Sequence, residues 1–394
     1  MAERPLILLD GLLVQPEPTG VGRSILELTR ALAVRDRGFD FGVLTTHPSA
    51  FAPLMGVPGW RVLPCPGARG GALRKALYTQ FVLPALAARL GAAVLHSLQF
   101  VAPLCLPCPS VVTVHDLAYR RFPGTVEVPR RWYYQALVPA SVRRANRIVT
   151  NSGATADDVA AHFPSVRDRL RVTPFGTPSW VWEQPVLGER ADVGGPFLFV
   201  GTLEPRKNLP RILEAFSRFR DQAEAAGGPP PPDLSLVGGR GWGDSPLRRP
   251  IRALQARGAL RLEGYCQPAR LWGLYGAARA LLFPSLHEGF GFPILEAMAA
   301  GLPVLTADRG AMREVAGDAA LLVDPDDSAA IAAALFRLDR DAALRARLIA
   351  RGRERARAWS WERTADATAA VYAEVMAAAV SRDEIAVAPP RDKV

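Results

Sequence analysis

The sequence predicts an α/β protein of two doubly wound domains, each a parallel sheet with helices on both faces. Three observations carry this. The chain has 394 residues, more than one hydrophobic core accommodates. Short, continuous apolar runs alternate with helical periods along its length, the pattern of strands buried on both faces. Six such runs precede and six follow a Gly- and Pro-rich stretch without period, GTPSWVWEQPVLGERADVGG at 176–195, which reads as the break between two sheets.

In the first half the predicted strands are LILLD (6–10), FGVLTT (41–46), AVLHS (93–97), SVVTVHD (110–116), RIVTNS (147–152) and RVTPFG (171–176). In the second they are PFLFVGT (196–202), LSLVGG (234–239), LRLEGY (260–265), ALLFPS (280–285), PVLTAD (303–308) and ALLVD (320–324). Helical periods fall at 22–35, 207–220, 293–300 and 328–338. The first domain is therefore expected over 1–180 and the second over 181–381, with a disordered tail at 382–394. GGPPPP at 227–232 reads as a surface loop.

Composition narrows the function. Lys and Arg total 48 against 38 acids, a net charge of +10, which suits an anionic small molecule, an anionic membrane surface or a nucleic acid. Nucleic acid is disfavoured: the sequence has no basic block of five or more, no zinc-finger spacing and no aromatic RNA-binding signature. Cys105 and Cys108 form a C-x-x-C among prolines, and neither Cys65 nor Cys266 completes a zinc site. All four read as reduced thiols, and no metal site is expected. The N-terminal MAERPLILLDG opens with a strand rather than a signal peptide. The longest nearly uncharged stretch, 91–108, is interrupted by His96, Ser97, Gln99 and prolines and makes a poor membrane span. A cytoplasmic protein is expected, with any membrane contact peripheral and at the inner face.

Open parallel sheets bind ligands beyond the carboxyl ends of their strands, so the strand-to-helix loops matter most. In PTGVGRS (18–24), Gly20 and Gly22 permit close approach to amides at a positive helix end. The loop lacks a full G-x-G-x-x-G, so a plain tight turn fits equally well and a dinucleotide oxidoreductase is disfavoured. TVHDLA (113–118) sets His115 and Asp116 at the end of an apolar run; such a histidine either shares a proton with a ligand or serves the fold. In GTLEPRKNLPRILEAF (201–216), Arg206 and Lys207 enter a predicted helix at its N-terminal side, the wrong end for cations. An anion between them would resolve this. Contacts to phosphate are worth about 1.5–3 kcal/mol each, against a dipole penalty of about 0.3–1 kcal/mol. A solvated surface pair is the plainer alternative.

The densest signal is LHEGFGFPILEA at 286–297. Gly289 and Gly291 turn the backbone and Pro293 suits a first helical turn, whose amides form an anion site. Glu296 can accept from two adjacent hydroxyls, as on a ribose, and Glu288 lies where it reaches the other end of the same ligand. Each acid alone would read as a helix-end or loop carboxylate. Together with the glycines and the cation pair they point to a diphosphate carrying a sugar at each end.

On these residues the chain resembles the retaining glycosyltransferases with two facing Rossmann-like domains, family four of the GT-B fold. The carriers are the E-x7-E pattern from Glu288 to Glu296 in HEGFGFPILEAMAAGLPV, together with GTLEPRKNL, VHDL, NSGAT (151–155) and SWERTA (360–365). The texture is similar to bacterial mannosyltransferases that build O-antigen, capsule or exopolysaccharide. The resemblance implies that Glu296 binds the donor's ribose, Glu288 the hydroxyls of the transferred sugar, and Arg206 and Lys207 the leaving diphosphate. The amides of Phe290, Gly291 and Phe292 would face sugar and phosphates, and Gly264, Tyr265 and Cys266 would hold the base. Gly20 and Gly22 would approach the diphosphate, and His115 the donor sugar. SWERTA would open a last helix, about 362–381, that crosses back to the first domain. Many members carry Arg after the glycine that ends FLFVG, where this chain has Thr202; that shifts phosphate charge onto Arg206 and Lys207.

The implied reaction moves a hexose, mannose favoured, from a nucleoside-diphosphate sugar such as GDP-mannose to a saccharide or lipid-linked acceptor, with retention and without cofactor or metal. Two readings stay open beside it, a nucleotide-sugar 2-epimerase and a non-catalytic nucleotide-sugar-binding protein. Basic residues among apolar ones at 67–91 (Arg74, Lys75, Arg89) and 119–135 fit docking on anionic lipid, and fit an ordinary amphipathic helix and basic loop as well.

Overall fold

Two all-parallel sheets account for the alternation of apolar runs and helices. The computed structural model describes residues 4–125, 128–187, 194–227, 229–239 and 247–387. The first sheet holds β1 (Leu6–Asp10), β2 (Asp40–Thr45), β3 (Trp60–Pro64), β4 (Ala92–Ser97), β5 (Ser110–Val114), β6 (Arg147–Thr150) and β7 (Leu170–Val172) in the order β3-β2-β1-β4-β5-β6-β7. The second holds β8 (Phe197–Val200), β9 (Leu234–Val237), β10 (Leu260–Gly264), β11 (Ala280–Phe283), β12 (Val304–Ala307) and β13 (Leu321–Val323) in the order β10-β9-β8-β11-β12-β13. In each sheet the order reverses beside the first strand, at β1/β4 and at β8/β11. Crevices for ligands form outside the carboxyl ends of strands at such reversals.

The central strands are buried throughout, as in LILLD and ALLF, because helices cover both faces. β3 escaped the reading of the sequence. It is an edge strand of mixed exposure, WRVLP, so it has no continuous apolar run to announce it. The predicted helices are found within a few residues, at Gly20–Val34, Leu209–Ala225, Phe292–Ala299 and Ser328–Arg340. Asp327 caps the last of these, its carboxylate accepting from the amides of Ala329 and Ala330 at 2.8 and 2.9 Å. DPDD at 324–327 is thus a turn and helix cap.

The chain divides into two compact units. The first comprises Met1–Leu117, Glu127–Gly176 and Trp361–Val394, and the second Ala118–Val126 and Thr177–Ser360. The division at 176/177 lies within the predicted break. Residues 118–126 belong with the second unit, and the last helix, Trp361–Val387, belongs with the first. That helix is held there by named contacts. Tyr372 hydrogen-bonds His96 at 2.7 Å, Thr364 donates to the carbonyl of Pro174 at 2.6 Å, and Glu374 pairs with Arg147 at 2.7 Å and with Arg171. It runs to Val387, past the expected start of a tail at 382; residues 388–394 lie outside the described ones. The four cysteines are free. Among the described residues no helix is long and apolar enough to cross a membrane.

Candidate active site

Residues at the carboxyl end of the second sheet converge on one carboxylate. β8 leads through Gly201 into a 3-10 turn, Pro205–Lys207. Close packing of the neighbouring loops demands a glycine at 238, since a Cβ there would stand 2.0 Å from the carbonyl oxygen of Gly201. Asn208 follows the turn with φ +62°, the one non-glycine residue in that region among the described residues. Its side-chain amide donates to the carbonyls of Pro284 at 3.0 Å and Pro325 at 2.6 Å. The amide of Leu286 donates to the carbonyl of Arg206 at 2.8 Å. The turn is therefore stitched to the loop that follows β11. Hydrogen bonds of about 1 kcal/mol each offset the left-handed cost of about 1–2 kcal/mol, which Asn tolerates better than most residues.

Arg206 and Lys207 therefore do not sit in the first turn of a helix, as the sequence suggested. Asn208 separates them from the helix Leu209–Ala225. They also have an anion within the protein. Lys207 Nζ donates to Glu288 Oε1 at 2.6 Å, Arg206 Nη1 donates to Glu288 Oε2, and Arg206 Nε lies 2.5 Å from Glu204 Oε1. Lys207 and Glu288 are only 6% and 8% exposed. Burial by itself pushes the Glu288 carboxyl up, but Arg206 and Lys207 prevail and hold it at about 2. Burial pushes the Lys207 ammonium down, and Glu288 pulls it back. The ammonium also lies 4.8 Å from the centre of the Phe283 ring, a cation–π contact. A buried cation stripped of its anion costs several kcal/mol. This pair must keep a negative partner, either a carboxylate or a group that replaces it, such as a phosphate.

The helix Phe292–Ala299 starts from Gly291, whose φ of +109° places it in the region that favours glycine. Phe290 packs edge-on against Phe292 at 5.3 Å and Trp359 at 5.4 Å. Glu296 is 3% exposed and accepts from the Tyr275 hydroxyl at 2.8 Å through Oε2. Gly264, with φ +67°, ends β10. Tyr265 is exposed and Cys266 buried just before the helix Pro268–Ala277, so this trio also lies at the carboxyl end of the sheet.

In the first unit, Gly20 and Gly22 occupy the first turn of the helix Gly20–Val34. His115 follows β5 directly and is buried, its Nε2 donating to the carbonyl of Leu98 at 3.0 Å between the rings of Phe100 and Phe175. Burial pushes the imidazole below its ordinary range, leaving it neutral with the proton on Nε2.

Direct bonds thus join Arg206, Lys207 and Glu288, which the sequence could only place near one another by inference. Tyr275, Asn208 and Glu204 were not singled out. Glu204 stood within the quoted GTLEPRKNL, but nothing in the residue string marks Tyr275 or Asn208. Asp10 was read only as the last letter of a strand. It is fully buried, accepts from the Leu12 amide at 3.0 Å and the Gln99 side chain at 2.5 Å, and burial lifts its carboxyl to about 6.

Residues 194–355 match the family described as glycosyl transferases group 1, and residues 18–178 match glycosyltransferase family 4. The O-antigen chain mannosyltransferase B of Escherichia coli is 32% identical over 270 residues, covering 67% of this chain and 70% of that protein. The MMP alpha-(1->4)-mannosyltransferase of Mycolicibacterium hassiacum is 31% identical over 63% of this chain and 59% of its own length. Among solved structures, sucrose-phosphate synthase from Thermosynechococcus elongatus aligns over 95% of this chain and 100% of its own, with a TM-score of 0.69 and 23% identity. HepE from Anabaena, in complex with UDP-glucose, aligns over 96% and 100%, with a TM-score of 0.65 and 16% identity.

Proposed function

The chain belongs to the family-four glycosyltransferases of the GT-B fold, and from that premise we propose that it transfers mannose from a nucleoside-diphosphate donor, GDP-mannose favoured, to a saccharide or lipid-linked acceptor in polysaccharide synthesis, with retention. The observation that carries the reading is the cation pair held by Glu288, a buried Lys207 beside a half-buried Arg206. Bond cleavage gathers negative charge on the departing diphosphate, and preorganised cations aimed there are usually the largest catalytic term. The diphosphate takes over the two cations, and Glu288, freed from them, turns to hydroxyls of the transferred sugar.

Retaining glycosidases set two carboxylates about 5 Å apart across the cleaved bond. Here Glu288 and Glu296 serve opposite ends of a long donor, so neither is the nucleophile. Glu296 takes the ribose, the amides of Phe290, Gly291 and Phe292 take sugar and phosphates, and Gly264, Tyr265 and Cys266 take the base. The family pattern alone assigns Gly20 and Gly22 to the diphosphate and His115 to the donor sugar. The acceptor attacks from the face the diphosphate leaves, and the phosphate oxygen takes its proton. With Arg206 and Lys207 carrying the charge, the scheme calls for neither a metal nor a resident cofactor.

An anionic bilayer is the proposed docking surface for a lipid-linked acceptor. Leu73, Leu77 and Phe81 recur every four residues and are all more than half exposed, and the same stretch carries Arg74, Lys75 and Arg89. Apolar side chains fringed by cations suit the headgroup boundary.

Incubation with radiolabelled GDP-mannose and with UDP-sugars, first alone and then with mannose-terminated oligosaccharides, tests the reading. Transfer, with slow release of free sugar when no acceptor is present, is the expected result. An interconverted sugar would revive the epimerase, which draws no support from the relatives named above. Silence with every donor would leave a binding protein.

A further inference from the structure

Glu296 is held by a group outside its own helix. The Tyr275 hydroxyl donates to its Oε2 at 2.8 Å, and both side chains are buried, the tyrosine completely. The phenol is the donor in this bond and the carboxyl oxygen the acceptor. Tyr275 lies near the C-terminal end of the helix Pro268–Ala277, and the segment Gly264–Cys266 runs into the other end of the same helix. The helix is thus a rod with the assigned base loop at one end and a grip on Glu296 at the other.

We propose that Tyr275 is a positioning residue that orients the Glu296 carboxylate for the donor's ribose hydroxyls; this rests on the ribose role given to Glu296 above. Two adjacent hydroxyls are recognised well only by a carboxylate whose plane is set beforehand. A side chain with several rotatable bonds is not set by its own helix. With Oε2 anchored by a rigid phenol from a neighbouring element, rotation of the carboxylate about its terminal bond is stopped. A tyrosine that merely filled the core would have no influence on which nucleotide is bound.

The experiment measures affinities of GDP, UDP and their 2′- and 3′-deoxy counterparts by calorimetry, for the wild type, Tyr275→Phe and Glu296→Gln in the full chain. The wild type should prefer one ribonucleotide over its deoxy form by about tenfold, the scale of 1.4 kcal/mol. Tyr275→Phe should erase most of that preference by weakening the ribonucleotide and leaving the deoxy form unchanged. Equal weakening of both forms, or an intact preference, overturns the proposal. Glu296→Gln separates its failure from that of the parent reading. If Glu296→Gln abolishes the preference while Tyr275→Phe keeps it, only the positioning role falls. If Glu296→Gln keeps it, or the wild type shows none, the ribose role falls and the proposal falls with it. Should Tyr275→Phe not fold, Tyr275→Met removes the same hydroxyl at similar volume and is read in the same way.

Discussion

The two units repeat one strand order and treat their buried ionisable groups in opposite ways. In the second unit Lys207 and Glu288 stay charged in the interior because each has an opposite charge at bonding distance. In the first unit, burial wins. His96 sits between the Tyr372 hydroxyl at 2.7 Å and the Thr113 hydroxyl at 2.8 Å, and burial drives it down to about 3. His115 is pushed down as well, and Asp10 is lifted to about 6. Topology thus decides where polar groups gather, and local partners decide whether they carry charge. The paired cations of the second unit suit a phosphate; a buried imidazole or carboxyl does not.

The largest expected effect breaks the charged side of this contrast. Lys207→Ala should lower kcat/KM by about 10²-fold or more, the scale of one lost donor to developing charge, and an unchanged rate in the transfer assay would remove the role. Glu288→Gln sharpens the contrast. Transfer should fall by a similar factor while free GDP or UDP binds about 3–10-fold tighter, up to the 1.4 kcal/mol of a tenfold step, because the carboxylate no longer competes for the cations. Calorimetry showing weaker nucleotide binding would contradict that competition.

Acid should separate the units next. Glu288 sits at about 2 in the fold against an ordinary 4.5, so its stabilisation is whole above pH 4.5 and is lost as pH falls through 2. His96, at about 3 against 6.5, stabilises the first unit only while neutral, and that contribution drains as pH falls from 6.5 toward 3. Asp10, at about 6 against 3.8, works the other way: its contribution is full below 3.8 and lost as pH rises through 6. The two oppose each other between pH 6 and 4. Asp10→Asn should unmask the histidine, lowering Tm between pH 6.5 and 4 by about 5 °C more than in the wild type, at roughly 2–4 °C per kcal/mol. Parallel Tm profiles by scanning calorimetry would show that Asp10 makes no such offset. The smallest effect concerns the exposed stripe. Phe81→Ser should change stability by no more than about 0.5 kcal/mol and reduce sedimentation with anionic liposomes at low salt. Undiminished sedimentation would detach the stripe from membrane docking.

Much of the fold was legible because buried parallel strands announce themselves as unbroken apolar runs; ALLF and LILLD could be read directly. Trp60–Pro64 could not, since an edge strand with mixed exposure carries no such run. The loop at 286–297 was legible through its glycines and its two acids. What stayed hidden was pairing. Lys207 and Glu288 lie 81 positions apart and Tyr275 and Glu296 lie 21 apart, and no local pattern encodes a bond that only the folded sheet creates. The same holds for Asn208, whose left-handed backbone is paid for by two carbonyls far along the chain.

The chain passes from one unit to the other four times, at 117/118, 126/127, 176/177 and 360/361. A ribosome emits the first sheet early, but the helix that presents Tyr372 to His96 emerges only after the whole second unit. The portion begun first must therefore wait with an exposed, unfinished flank until that helix is made. A stop codon between residues 324 and 372 would leave a buried histidine without its phenol partner, even though every strand of both sheets had already been made.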